Sequence, residues 1–266
     1  MSDNFQESGH FSGRWGMVLN NGQENGHYSG QRELNLTNGQ IIGLFYGHEI
    51  GLRMINMKKD YSALSFSEKE RVYESIFNDN GPYWHMYTDG TKMQNIFCNE
   101  EDFKIGMWCL AAALHSCKSV RAITFELMGN HIHLILAGQQ EDCINAFEIF
   151  VARLRQAFPK RQRAIDWSMF KMDILPIENL QALRNEIIYA NRNAFVANPN
   201  HTPDSYPWGG GCAYFSPWLK HLTTSPLGEL PILTQRSLLH TKNIEPLADL
   251  RQMDSIPFIP SFCNIK

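Results

Sequence analysis

The sequence predicts an α+β fold, a four-stranded antiparallel sheet with helices packed on one face. Two observations carry that expectation. From residue 83 to 197 the hydrophobic pattern runs strand, helix, strand, strand, helix, strand, helix. Gly129-Asn130, a tight-turn dipeptide, joins two apolar runs as a hairpin, which makes those strands antiparallel.

The elements follow in order. Residues 1 to 30, rich in Gly, Asn, Ser and Gln, read as a weakly ordered lead without the charged-then-apolar order of a signal peptide, which favours the cytoplasm. Ser65 to Phe77 reads as a helix, with Ser67 as its N-cap and acids in the first turn. Asn78-Asp79-Asn80-Gly81-Pro82 is a turn signal and the expected boundary between an N-terminal extension, 1–80, and a central domain, 81–218. Tyr83 to Thr88 is a short strand. Glu100 to Ser116 is a helix, with Phe103, Met107, Leu110 and Leu114 at helical spacing. Ser119 to Met128 and His131 to Ala137 are the hairpin strands. Glu141 to Phe158 is the next helix, Met169 to Leu175 the fourth strand, and Asn179 to Ala197 the last helix of the domain. The tail, 219–266, has apolar segments without a period and forms a C-terminal appendage of open role.

Composition excludes some classes. At 43% hydrophobic and 19% charged the chain is an ordinary globular protein, and no apolar run approaches the ~20 residues of a membrane-spanning helix. Six cysteines without a CxxC pair argue against a zinc ribbon or a disulfide scaffold. A net charge of −3 counts against a nucleic-acid partner. Local distribution can override it: Arg153, Arg155, Lys160, Arg161 and Arg163 fall in a stretch without an acid, which reads either as a phosphate-binding patch or as a solvated helix face.

Two segments carry chemistry. In a strand His131 and His133 point one way while Ile132, Leu134 and Leu136 point the other, so two imidazoles share one rigid face. That is a natural pair of metal ligands, although two polar positions on a solvent-facing strand give the same pattern. On the last helix Leu180, Leu183, Ile187, Ala190 and Ala194 form the apolar stripe. Tyr189 lies off that stripe, and its neighbours at three and four positions, Asn185, Glu186, Arg192 and Asn193, are polar. Asn193, one turn after Tyr189, is placed either to bring an amide oxygen to the same site or to serve as a helix-end residue.

Three blocks together resemble the REP-associated tyrosine transposases, a branch of the single-tyrosine HUH transposases. Phe125-Glu126-Leu127-Met128-Gly129-Asn130-His131-Ile132-His133-Leu134-Ile135-Leu136 is similar to the family's "vLMPNHvHLll". Tyr189-Ala190-Asn191-Arg192-Asn193-Ala194-Phe195-Val196-Ala197 is similar to "YIxxNPVxAG", and Tyr206-Pro207-Trp208-Gly209-Gly210 to "YPWSS". Their order and spacing agree over roughly residues 83 to 218. Gly129 stands where the family has Pro, Ala194 replaces the Pro of the NP pair, and Met169-Phe170-Lys171-Met172-Asp173 keeps one lysine of the family's basic strand while gaining an acid.

The resemblance implies a ferredoxin-like HUH nuclease palm, with metal histidines at His131 and His133, a nucleophile at Tyr189 and a third ligand at Asn193. It implies cleavage and rejoining of single-stranded or hairpin DNA through a 5′-phosphotyrosine, with DNA transposition as the setting. The mixed nitrogen and oxygen ligand set suits Mg²⁺ or Mn²⁺ better than structural zinc. Arg153, Arg155, Lys160, Arg161, Arg163, Lys171 and Arg192 are the candidates for DNA-backbone contacts, and Trp167 and Trp208 either stack on bases or pack in the core. One tyrosine handles one cleavage at a time, so two-ended transposition needs pairing into a homodimer or successive reactions. Two other readings stand beside this one: a domesticated, non-catalytic DNA-binding protein, and a hydrolytic metalloenzyme with water as nucleophile.

Overall fold

The computed structural model describes residues 63–91, 94–161, 165–215 and 222–264. Most of the expected N-terminal extension therefore lies outside the described residues. Its last segment does not: α1 spans Phe66–Asn80. Ser65 caps it by accepting from the Glu68 N–H, while the Glu68 carboxylate accepts from the Ser65 N–H at 2.8 Å. The cap is thus Ser65 and not Ser67. Each serine has a glutamate three residues on, but Glu70 is drawn away into a bidentate pair with Arg184, at 2.9 and 3.0 Å. Ser65→Ala is expected to cost ~1 kcal/mol in denaturant unfolding.

The turn signal at 78–82 is a helix end rather than a domain boundary. Ile76 is buried, Phe77 stacks on Tyr83 with ring centroids 4.7 Å apart, and Arg121 donates to the Asn80 side chain and carbonyl. α1 therefore belongs with the sheet, inside one compact unit that continues through the C-terminal tail.

The sheet contains β1, Tyr83–Thr88; β2, Arg121–Leu127; β3, Ile132–Ala137; and β4, Met172–Ile177. Their order is β2-β3-β1-β4, and all three pairings are antiparallel. β4 starts three residues later than expected because Asp166 caps a short 3₁₀ turn over Trp167–Met169. The helices α2, Glu100–Ser116, and α3, Gln140–Ala157, connect the strands. They pack on one face against Met86, Phe125, Leu127, Ile132, Leu134 and Leu136.

A third helix, α4 at Leu180–Asn191, covers the opposite face, so the helices are not confined to one side. Tyr83, Ile123, Ile135, Ala137 and Ile177 make that second face apolar at one end, and Leu183, Ile187 and Ala190 of α4 bury it. A register shift between Ala122 and Thr124 helps: Ile123 joins this cluster, and the Thr124 hydroxyl donates to the Asn191 side-chain oxygen at 3.1 Å.

The expected single helix 179–197 breaks at Arg192, and α5 resumes at Asn193–Ala197. The break has two causes. The Asn193 side-chain amide donates to the carbonyls of Tyr189 and Ala190, at 2.8 and 3.2 Å. The Ala194 N–H donates to the buried carboxyl of Glu126, at 2.6 Å, instead of continuing the helical ladder.

Tyr206-Pro207-Trp208-Gly209-Gly210 lies along the outer edge of β2. Leu127 N–H donates to Trp208 O, Gly210 N–H to Phe125 O, and the Tyr206 hydroxyl to Leu127 O at 2.6 Å. Gly210 is required by this close approach, since a Cβ there would sit 2.3 Å from Thr124 Oγ1. The C-terminal tail packs on the far side of α2. Leu227, Leu239, Ile244, Leu247 and Leu250 enclose Trp108, whose indole donates to Ser255 O at 2.8 Å. This explains apolar segments that have no period of their own. Among the described residues no helix is long and apolar enough to cross a membrane.

Candidate functional site

The second face of the sheet is apolar where α4 begins and polar where it ends. Strand alternation puts His85 and Tyr87 of β1 on that face, and the register sets Tyr87 opposite both His133 and Asp173. Glu126 lies opposite His133 on the other side. α4 brings Glu186 and Tyr189, one turn apart, over the same region. The ring of Tyr189 meets His133 edge-on at 5.4 Å and His85 at 5.8 Å. His131, one residue before β3, stands perpendicular to His133 at 5.2 Å. Tyr189, His131 and His133 are therefore brought together.

His85, Tyr87, Glu186 and Glu126 also belong to this region and were not singled out by sequence. His85 is buried at 3% exposure, with its Nδ1 2.7 Å from Glu186 Oε2 and its Nε2 2.9 Å from His133 Nδ1. Tyr87 stacks near His133 at 6.2 Å and lies 5.2 Å from His85. The signal for His85 and Tyr87 was their shared parity with Tyr83 in a six-residue strand. The signal for Glu186 was its place one turn before Tyr189.

Electrostatics favour neutral rings. Burial, with His85 and His131 close by, holds His133 well below the ordinary imidazole range. Burial also lowers His131, although Asp89 pulls against it. Burial and Glu186 raise the Tyr189 phenol, while Arg192 opposes them. Tyr87 is raised by burial and then by Asp173, Tyr189, Asp89 and Glu186, with no cation offsetting them.

For a divalent metal the test is whether these rings offer bare nitrogens. His131 Nδ1 lies 2.8 Å from Asn130 Oδ1, and the Asn130 amide is oriented by its own 2.8 Å bond to Gly90 O. The Gly90 loop presses close here: a Cβ would come within 2.8 Å of His131 Nδ1. Since the Asn130 oxygen can only accept, His131 carries its proton on Nδ1 and leaves Nε2 bare. His133 likewise has its Nδ1 engaged. Each ring thus has its Nδ1 engaged by a neighbour, and Nε2 of each is the nitrogen that would take a metal.

The Asn193 amide nitrogen is committed to the carbonyls at the end of α4, so its side-chain oxygen is the atom that would serve as a third ligand. Among the described residues no group of three or more His, Cys, Asp or Glu stands as a ready ligand set. Remaining positions on an ion would fall to water or a phosphate oxygen.

The basic residues separate into two places. Lys171, exposed, immediately precedes β4 at the Tyr87 end of the sheet, and exposed Arg192 follows α4. Arg153 and Arg155 lie on α3, across the sheet from His133, and the Arg155 guanidinium sits over the Trp167 ring at 5.9 Å. The side chains of Lys160 and Arg161, and all of Arg163, lie outside the described residues. Trp208 is buried and stacks on Phe103 at 5.2 Å, and Trp167 packs against the core, so both act in packing. All six cysteines are free thiols. The chain matches no family model, no curated protein and no solved structure at a significant level.

Proposed function

We propose that this chain is a metal-dependent single-strand DNA endonuclease and strand transferase of the HUH kind, with Tyr189 as its nucleophile. The observation that carries the reading is the convergence of one phenol and two neutral imidazoles, from α4 and β3, on one face of the sheet. His131 and His133 would hold a divalent ion, Mg²⁺ or Mn²⁺. Such an ion supplies charge neutralisation at a non-bridging phosphate oxygen.

Tyr189 Oη attacks the scissile phosphorus, the bond from phosphorus to the 3′-oxygen breaks, and the phenol proton passes to solvent. The departing 3′-oxygen takes up a proton to become a hydroxyl, and the 5′-phosphate stays on the tyrosine. One phosphodiester replaces another, so no nucleotide cofactor is needed and a second 3′-hydroxyl can reverse the step. Exposed Lys171, just before β4, and exposed Arg192, just after α4, would contact the DNA backbone in this reading.

A non-catalytic DNA-binding protein on the same scaffold is the second reading. It is favoured by Asp89, Asp173 and Glu186 around the site, and by Arg153 and Arg155 lying across the sheet. Incubation with single-stranded hairpin DNA and Mn²⁺ separates the readings. The expected result is a protein–DNA adduct that survives denaturing electrophoresis and is absent when a chelator is present from the start. Cleavage without an adduct would replace tyrosine by water as nucleophile, and binding without cleavage would select the second reading.

A further inference from the structure

We infer that Glu186 and His85 are positioning residues that lock His133 in the tautomer with its proton on Nδ1, leaving Nε2 as a bare ligand nitrogen. The inference rests on the metal-site reading above for its purpose, and the lock itself follows from hydrogen-bond direction with His85 neutral. An ionised carboxylate only accepts, so the 2.7 Å contact from Glu186 Oε2 requires the His85 proton on Nδ1. A neutral imidazole has one ring proton, so His85 Nε2 is then an acceptor. The 2.9 Å contact to His133 Nδ1 must therefore be filled by a proton from His133. Each ring passes the constraint to the next, and it ends at His133 Nε2.

The arrangement is built rather than incidental. His85 is almost fully buried, on the central strand β1, and both of its nitrogens are engaged. Glu186 closes the chain from the solvent side, with a third of its side chain exposed. Among the described residues every buried side-chain nitrogen and oxygen has a partner, so His133 Nδ1 depends on His85 for its own. His131 reaches the same tautomer by a different route, through Asn130 and the Gly90 loop. The two rings are thus oriented independently, one by a local turn and one by a chain across β1 to α4. That chain also ties α4 to the sheet one turn before Tyr189, so the residue that orients a ligand holds the nucleophile's helix as well.

The test is long-range proton–nitrogen NMR of the histidine rings in the full-length protein, with Mn²⁺ affinity measured separately by calorimetry. In the wild type His133 is expected to be protonated on Nδ1. His85→Phe removes the acceptor and is expected to move the proton to Nε2, weakening Mn²⁺ binding roughly 10- to 100-fold, on the order seen for partners that orient metal-bound histidines. Glu186→Gln, at a partly exposed position that tolerates the isostere, replaces an acceptor by a group that also donates. It is expected to give a mixture of tautomers and a smaller loss. The His131 signals should stay unchanged in both variants, which separates a lost lock from a disordered site. A wild-type His133 protonated on Nε2, or variants that keep the Nδ1 proton, would overturn the inference even if the protein binds Mn²⁺ and forms an adduct. A tautomer that switches as expected in a protein with no Mn²⁺ affinity would support the lock and overturn the metal reading alone.

Discussion

Tyr189→Phe is expected to abolish the covalent protein–DNA adduct completely while leaving the fold and DNA binding in place. Removing the phenol oxygen leaves nothing on that ring able to attack phosphorus, so the loss is total rather than graded. The informative control is Tyr87→Phe. Tyr87 offers a second phenol within 5.2 Å of His85 and 6.2 Å of His133, on the same face. Its surroundings disfavour it as nucleophile: burial and three carboxylates oppose the phenolate, with no cation in compensation. Tyr189 has Arg192 acting in the opposite sense. The adduct should therefore survive Tyr87→Phe. A gel in which it survives Tyr189→Phe, or disappears only in Tyr87→Phe, would move the chemistry to the strand tyrosine.

Glu126→Gln is expected to remove most of a pH dependence of stability. Glu126 is 1% exposed, and burial pushes its carboxyl up to about 8 despite the hydrogen bond from Ala194. The folded state therefore holds this proton over a range in which the unfolded chain, with an ordinary glutamate, has released it. Stability from this group is fully present below about 4.5, declines as pH rises toward about 8, and levels off above. A tenfold difference in proton affinity between the folded and unfolded chains is worth ~1.4 kcal/mol, so the loss amounts to a few kcal/mol between acid and alkaline conditions. Glutamine keeps an oxygen for the Ala194 N–H and cannot ionise. Urea unfolding midpoints of the two proteins should coincide near pH 5 and separate by pH 9, with the variant the more stable. Parallel curves across that interval would mean that Glu126 relaxes to solvent.

The fold was legible where one element decides its own shape. Tyr83–Thr88 and Glu100–Ser116 appear with the expected ends, because alternation in the strand and a polar N-cap before a helical stripe are local properties. Errors came where distant residues intervene. The cap moved to Ser65 because Arg184 claims Glu70, and the last helix breaks because Glu126, far back in the chain, takes the Ala194 N–H. The placement of α4 on the second face depends on register between strands, which sets Tyr83 opposite Ala137 only after pairing.

The candidate site shows the same division. His131, His133 and Tyr189 follow from strand parity and from an off-stripe helical position. His85 joins them only through the pairing of β1 with β3, across nearly fifty residues, which leaves no mark in the pattern of either segment. Asn193 satisfies carbonyls at the helix end through its amide nitrogen, a role that spacing alone does not separate from that of an oxygen donor.

The Tyr206–Gly210 segment acts as a seal. A sheet with two free borders offers two rows of unused backbone donors and acceptors, each a template for a stray chain. Here one border is occupied by the chain's own later residues, with an aromatic hydroxyl and two main-chain contacts clamping it shut. Tyr206-Pro207-Trp208 therefore withdraws the margin of β2 from pairing with any other chain.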